Sequence, residues 1–71
     1  MITDADLENW FQYHPPVGDQ SDRYITIRAA GMVLAQAIRD HTPSSADQTA
    51  AIRKVREAVM TANAAIACGG K

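Results

Sequence analysis

Between Phe11 and Arg28 the chain gathers the side chains best suited to holding a ligand: Phe11, Tyr13 and Tyr24 as flat rings, His14 as an imidazole, and Arg23 and Arg28 as guanidinium forks, all around the corner Pro15-Pro16. Rings stack on bases and a guanidinium grips phosphate oxygens in pairs, so the mixture suits a small nucleotide. Catalysis is poorly served. His14 and His41 are far apart and share no metal-ligand spacing, and Gly69-Gly70-Lys71 follows a helix where a phosphate loop would precede one. No nucleophile comes with a base and an orienting group. The acids Asp4, Asp6, Asp19, Asp22 and Asp47 fall at helix starts, where capping accounts for them. The residues read as a binder rather than an enzyme, with no metal and no cofactor.

The composition narrows the class further. The chain has 71 residues, one domain's worth, and a core that small commonly needs a disulfide, a metal or self-association. Cys68 is the single cysteine, so no disulfide framework exists, and it reads as a small packing residue. Self-association is the support that remains. Seven basic against eight acidic residues argue against general affinity for DNA or RNA polymers, so any anion site is a local cluster. The start carries neither a basic segment nor an apolar run typical of a signal, and no stretch approaches the roughly 18 apolar residues of a membrane span. The expectation is a soluble intracellular protein without membrane contact.

The elements that must position these side chains are helical throughout. Thr3 caps a first short helix with Asp6 three residues on, and Leu7, Trp10 and Phe11 lie on one face of it. Some eight residues do not persist as an isolated helix in water, so Trp10 and Phe11 are expected to dock on something larger. Pro15 and Pro16 end it and push His14 toward extended geometry; Val17-Gly18 complete a rigid elbow and Asp19 reads as the next N-cap. A second helix is expected over about 20–40, with a heptad seam of Tyr24, Ile27, Gly31, Leu34 and Ile38 and a second apolar stripe of Ile25, Met32 and Ala35. After Pro43, the capping box Ser45 to Gln48 opens a third helix over about 45–68, with the seam Ile52, Val55, Val59, Ala62 and Ile66.

These patterns predict an all-α domain spanning 1–71: an arm over 1–18, with its short N-terminal helix, followed by a long antiparallel helical hairpin. The linker of about four residues makes the long helices neighbours. Two apolar stripes on the second helix and the small residues Ala50, Ala51, Ala58, Ala64, Ala65 and Ala67 on the third exceed what one partner helix covers, which predicts a homo-oligomer. Gly31 in mid-helix costs about 1 kcal/mol relative to Ala, so a backbone or an aromatic ring is expected against it.

A turn near Thr42 and Pro43 places level those residues whose numbers sum to about 85, which sets Arg28 beside Arg56 and Glu57, with Arg53 one turn from Arg56. Three guanidinium groups would then gather at the root of the elbow, neutralised by Glu57 and Asp22 or by a bound anion. Tyr24 reads as core and Trp10 as the anchor of the arm.

The run Phe11-Gln12-Tyr13-His14-Pro15-Pro16, then Gln20, Arg23-Tyr24, Ile27-Arg28-Ala29-Ala30 and Ala35, then Pro43-Ser44, Ala51-Ile52, Val55-Arg56-Glu57-Ala58-Val59-Met60 and Ala62-Asn63-Ala64-Ala65-Ile66-Ala67 resembles a phage family. That family is the small anti-CBASS sponges that sequester cyclic oligonucleotides, related to the hairpin domain of anti-Thoeris sponges. The resemblance implies a non-enzymatic, homohexameric inhibitor of CBASS-type and also Thoeris immunity, working in the cytoplasm of the infected bacterial host. Its implied partners are cyclic dinucleotides such as cyclic GMP-AMP and/or cyclic trinucleotides, the two classes held in separate pockets in the family, with the dinucleotide pockets between protomers. An aromatic near the elbow and a basic residue on the following helix serve the dinucleotide pocket. Phe11 and Tyr13 are the matching aromatics and Arg28 the matching base; if the family's lysine falls at Thr26 instead, a charge is missing here. His14, Arg23 and Asn63 are further polar candidates, and Asn63 reads equally well as a helix-helix polar contact. The competing class is a helical oligomeric interaction module that inhibits an immune protein directly or serves phage structure or regulation.

Overall fold

The computed structural model describes all 71 residues, in three helices and no strand: α1 (Asp4–Phe11), α2 (Gln20–His41) and α3 (Ala46–Ala67). Each start has a local cause. Thr3 Oγ1 accepts from the Asp6 amide at 3.2 Å while the Thr3 amide donates to Asp6 Oδ2 at 2.9 Å, a complete capping box for α1. Ser45 Oγ accepts from the Gln48 amide at 3.2 Å, but the return bond of the expected box is absent. The Gln48 amide group instead reaches back to donate to the carbonyls of Arg39 and Thr42, satisfying the end of α2 and fastening the hairpin turn. Asp19 holds the N-cap position of α2 without a side-chain bond; Gln20 Oε1 accepts from the Val17 amide at 3.1 Å and ties the elbow to the start of the helix.

Helix α3 stops in a Schellman arrangement. The Gly70 amide donates to Ala65 and the Gly69 amide to Ile66, with Gly69 at φ +68, where a side chain would be strained.

α2 and α3 pack antiparallel along their length, and the half-buried positions define the seam: Tyr24, Ile27, Gly31, Ala35 and Ile38 against Ile52, Val55, Val59, Ala62 and Ile66. The α3 seam is as predicted. On α2, Ala35 takes the place expected for Leu34, which is 52% exposed. A straight helix drifts about 20° per heptad from a 3.5-residue repeat, which turns Leu34 to the edge. The neighbour of Gly31 also differs from expectation. Neither backbone nor an aromatic ring lies there; Gly31 sits under Val59 and Val55.

The arm crosses the open end of the hairpin. Asn9 Nδ2 donates to the Cys68 carbonyl at 3.2 Å and Trp10 Nε1 to the Lys71 carbonyl at 3.1 Å, so two side chains of α1 satisfy carbonyls just past α3. His14 Nε2 donates to the Asn9 carbonyl at 2.6 Å and ties the elbow to the same latch. Trp10 is tied down through its indole N–H and borders a depression with Ala64, Ala65 and Cys68, but its ring stays 43% exposed. Phe11 does not dock: it is 83% exposed.

No residue of the chain is buried. The accessible surface is 5648 Å², whereas a compact monomer of this mass exposes about 4,300 Å². The radius of gyration is 15.1 Å, against about 11 Å for a globular chain of this length.

Candidate functional site

Where the elbow meets the hairpin, a groove of about 400 Å³ is walled by Tyr13, His14 and Pro16 from the elbow, Tyr24 and Arg28 from α2, and Asn63 from α3. Ala64 and Ala67 form its floor, their small side chains leaving the depression open. The geometry follows from the local sequence. Pro15-Pro16 fixes the elbow, His14 is pinned to Asn9, and Tyr13 between them projects outward, 82% exposed. Tyr24 and Arg28 are four residues apart, hence on one helical face.

Four of the seven residues singled out from the sequence therefore come together: Tyr13, His14, Arg28 and Asn63. Three do not line this groove. Phe11 projects from the end of α1; Arg23 pairs with Asp19 at 3.8 Å; Thr26 Oγ1 donates to the Asp22 carbonyl at 2.9 Å. Tyr24, read as core, is half-buried and serves both seam and groove, a double role signalled only by its position one turn before Arg28.

The electrostatics favour an incoming anion. The chain contains two ion pairs, Arg23–Asp19 and Arg39–Asp40 at 2.8 Å, and both join residues close in sequence. Hydrogen bonding from Arg39 holds the Asp40 carboxyl below the usual carboxylate range. Arg28, Arg53 and Arg56 have no carboxylate partner, so neither Asp22 nor Glu57 neutralises them. Nor do the three gather at the elbow root. They form a row: Arg28 and Arg56 border a second groove over Met32, Val55, Val59 and Met60, and Arg53 lies beyond with Thr49 and Ile52. Asn63 Oδ1 is buried and has no hydrogen-bond partner, a debt that costs about 1–3 kcal/mol unless a ligand or the opposing surface repays it.

No group of three or more His, Cys, Asp or Glu side chains could hold a metal ion, and no helix is long and apolar enough to cross a membrane.

The family model described as "Acb2/Tad1, hairpin domain" matches residues 3–67, a span that takes in α1, the elbow and both long helices. No curated protein and no solved structure matches the chain.

Proposed function

The chain belongs to the Acb2/Tad1 hairpin family of anti-CBASS and anti-Thoeris sponges, and from that membership we propose that it is a phage-encoded inhibitor that sequesters cyclic di- and trinucleotide messengers without cleaving them. The observation that carries the reading to particular residues is the elbow groove, where Tyr13, His14, Arg28 and Asn63 converge and Arg28 lacks an internal counterion.

In this mechanism the Tyr13 ring stacks on a base, which every base accepts because each has a π-face. Arg28 then grips a phosphate; a charge-assisted hydrogen bond of this kind is worth about 1.5–3 kcal/mol. Thr26, which already gives its hydroxyl to Asp22, adds no charge, so the phosphate contact falls to Arg28. His14 has Nε2 committed to Asn9 and offers Nδ1. Asn63 lines the groove, and its unused, buried Oδ1 meets a base edge when the side chain turns outward. Arg23 is engaged with Asp19 outside the groove and becomes a phosphate contact only on leaving that pair, and Phe11, exposed at the end of α1, is left to serve a neighbouring copy.

The surface excess supports a homo-oligomer, with six copies the family's implication, because a lone hairpin leaves its apolar side chains in water. Sequestration works by mass action: the messenger is held in the cytoplasm of the infected host and its effector stays inactive, which demands tight binding and abundant protein. Neither a cofactor nor a reacting group has a part in it.

The test is incubation with a panel of cyclic di- and trinucleotides, followed by washing, heat release and chromatography. Intact ligand is the expected product. Cleaved ligand would replace the sponge with a hydrolase, and retention of no ligand would refute nucleotide binding and favour the interaction module.

A further inference from the structure

We propose that His14 takes up a proton at Nδ1 when a phosphate enters the elbow groove, so that ligand capture is linked to pH, a step that rests on reading this groove as the nucleotide site. The starting state of the ring is fixed by the way α1 ends. The helix stops at Phe11, and its last carbonyls have no amide partner further along the chain. For the Asn9 carbonyl the partner is His14 Nε2, at 2.6 Å. A carbonyl oxygen only accepts, so Nε2 carries a hydrogen whether the ring is neutral or charged. The neutral ring therefore has its lone pair at Nδ1, and no group of the chain bonds to that nitrogen.

Nδ1 is the nitrogen His14 has left for the groove it lines. The titratable groups around the imidazole are Tyr13 on the elbow, Tyr24 and Arg28 on α2, and the Cys68 thiol just past α3, which approaches the same Asn9 carbonyl at 3.8 Å. No carboxylate pairs with His14 or with Arg28. An opposite charge close by is what favours an imidazolium, and in this groove that charge has to arrive with the ligand.

A phosphate drawn to Arg28 brings it. Against the neutral ring, phosphate oxygens would meet the Nδ1 lone pair, acceptor against acceptor. A proton taken from solvent turns the same contact into a charge-assisted hydrogen bond. The bond from Nε2 to Asn9 gains in the same step, because an imidazolium is the stronger donor, so capture also tightens the elbow on α1. The complex then holds more protons than the free protein, and affinity rises as pH falls. The gain is complete below the pH at which the free ring titrates and is lost as pH rises through the titration of the bound ring.

Calorimetry with cyclic GMP-AMP, in two buffers of different ionisation heat, reads both consequences. Binding is expected to be about tenfold tighter at about pH 6 than at about pH 8, and the measured heat to change with the buffer, as proton uptake requires. Phosphodiesters stay charged and the bases neutral across this window, so the titrating group belongs to the protein. NMR of the imidazole nitrogens in the unaltered chain identifies it. Near pH 7 the His14 ring is expected to gain its second N–H on ligand addition, while His41, at the far end of α2, serves as the reference that does not change. His14→Gln, whose side-chain amide can still donate to the Asn9 carbonyl, should lose the pH dependence of whatever affinity it retains. Binding that ignores pH and buffer, binding that strengthens toward pH 8, or a His14 ring with the same charge in both states would overturn the proton linkage and leave nucleotide capture standing. An unaltered protein that binds no cyclic GMP-AMP at either pH would overturn dinucleotide capture itself, and the linkage with it.

Discussion

Gly31→Ala separates two effects of similar size and opposite sign. Within a helix, alanine is favoured over glycine by about 1 kcal/mol, so on local grounds the substitution stabilises α2. The packing opposes it. A Cβ built at Gly31 falls 2.5 Å from Cγ2 of Val59, more than an ångström inside its 3.8 Å contacts with Val55 Cγ1 and Val59 Cβ. Val59 cannot swing that methyl aside, because valine in a helix is confined to essentially one χ1 rotamer. The helices must therefore separate, an overpacking strain of about 1–3 kcal/mol. The net expectation is a loss of about 1 kcal/mol, or a fall of about 4–8 °C in Tm for a domain of this size. Thermal unfolding followed by circular dichroism reads it, at one fixed protein concentration because assembly makes Tm depend on concentration. Val59→Ala removes the offending methyl, so the double variant should be more stable than the two single losses predict, with a coupling of about 1–3 kcal/mol. A Gly31→Ala protein that melts higher than the parent, or single effects that simply add, would refute the close approach.

Thr3→Ala removes the side-chain acceptor of the α1 capping box, the bond from the Asp6 amide to Thr3 Oγ1, and should cost about 1 kcal/mol, seen as fraying of the arm and a red shift of Trp10 fluorescence with little change in total helix. Asn63→Leu deletes the unpaired buried oxygen and should raise Tm while weakening nucleotide retention; a fall in both would make Asn63 a structural contact only. Arg28→Ala should weaken cyclic nucleotide binding by about 10- to 100-fold in calorimetry and leave Tm nearly unchanged, since Arg28 anchors no ion pair. The depressed Asp40 carboxyl stabilises the fold above its ordinary titration range and loses that contribution as pH falls through its folded value. Because the pair is exposed, Asp40→Asn should leave the acid-unfolding midpoint close to that of the parent.

The helices and their limits were legible because their causes are local. Thr3, Ser45, the Pro15-Pro16 corner and Gly69-Gly70 each act on backbone within a few residues, and α1, α2 and α3 begin and end within a residue or two of expectation. The α3 seam was legible too, since its branched residues fall on one stripe. The α2 seam was less so. A heptad template assigns Leu34 by size, whereas the packing selects Ala35 by angle and lets the helices approach over Gly31. The arm latch left no sequence signal. Asn9 and Trp10 reach backbone carbonyls at Cys68 and Lys71, and a carbonyl is the same at every position, so no pairing of residue types marks it.

The site divides along the same line. Tyr13, His14 and Arg28 could be grouped from the sequence because the elbow and the start of α2 are neighbours in the chain. Asn63 could be joined to them only loosely, since its place depends on the register between α2 and α3, which the turn gives only to within about a helical turn even where it sets Arg28 beside Arg56. Phe11, grouped with Tyr13 by proximity, parts from it because α1 ends between them: Phe11 keeps its place on the helical stripe and Tyr13 turns with the elbow. Tyr13 therefore lines the groove beside Arg28, whereas Phe11 stands 83% exposed at the end of α1 with Leu7, Asp4 and Glu8 on the same helical stripe.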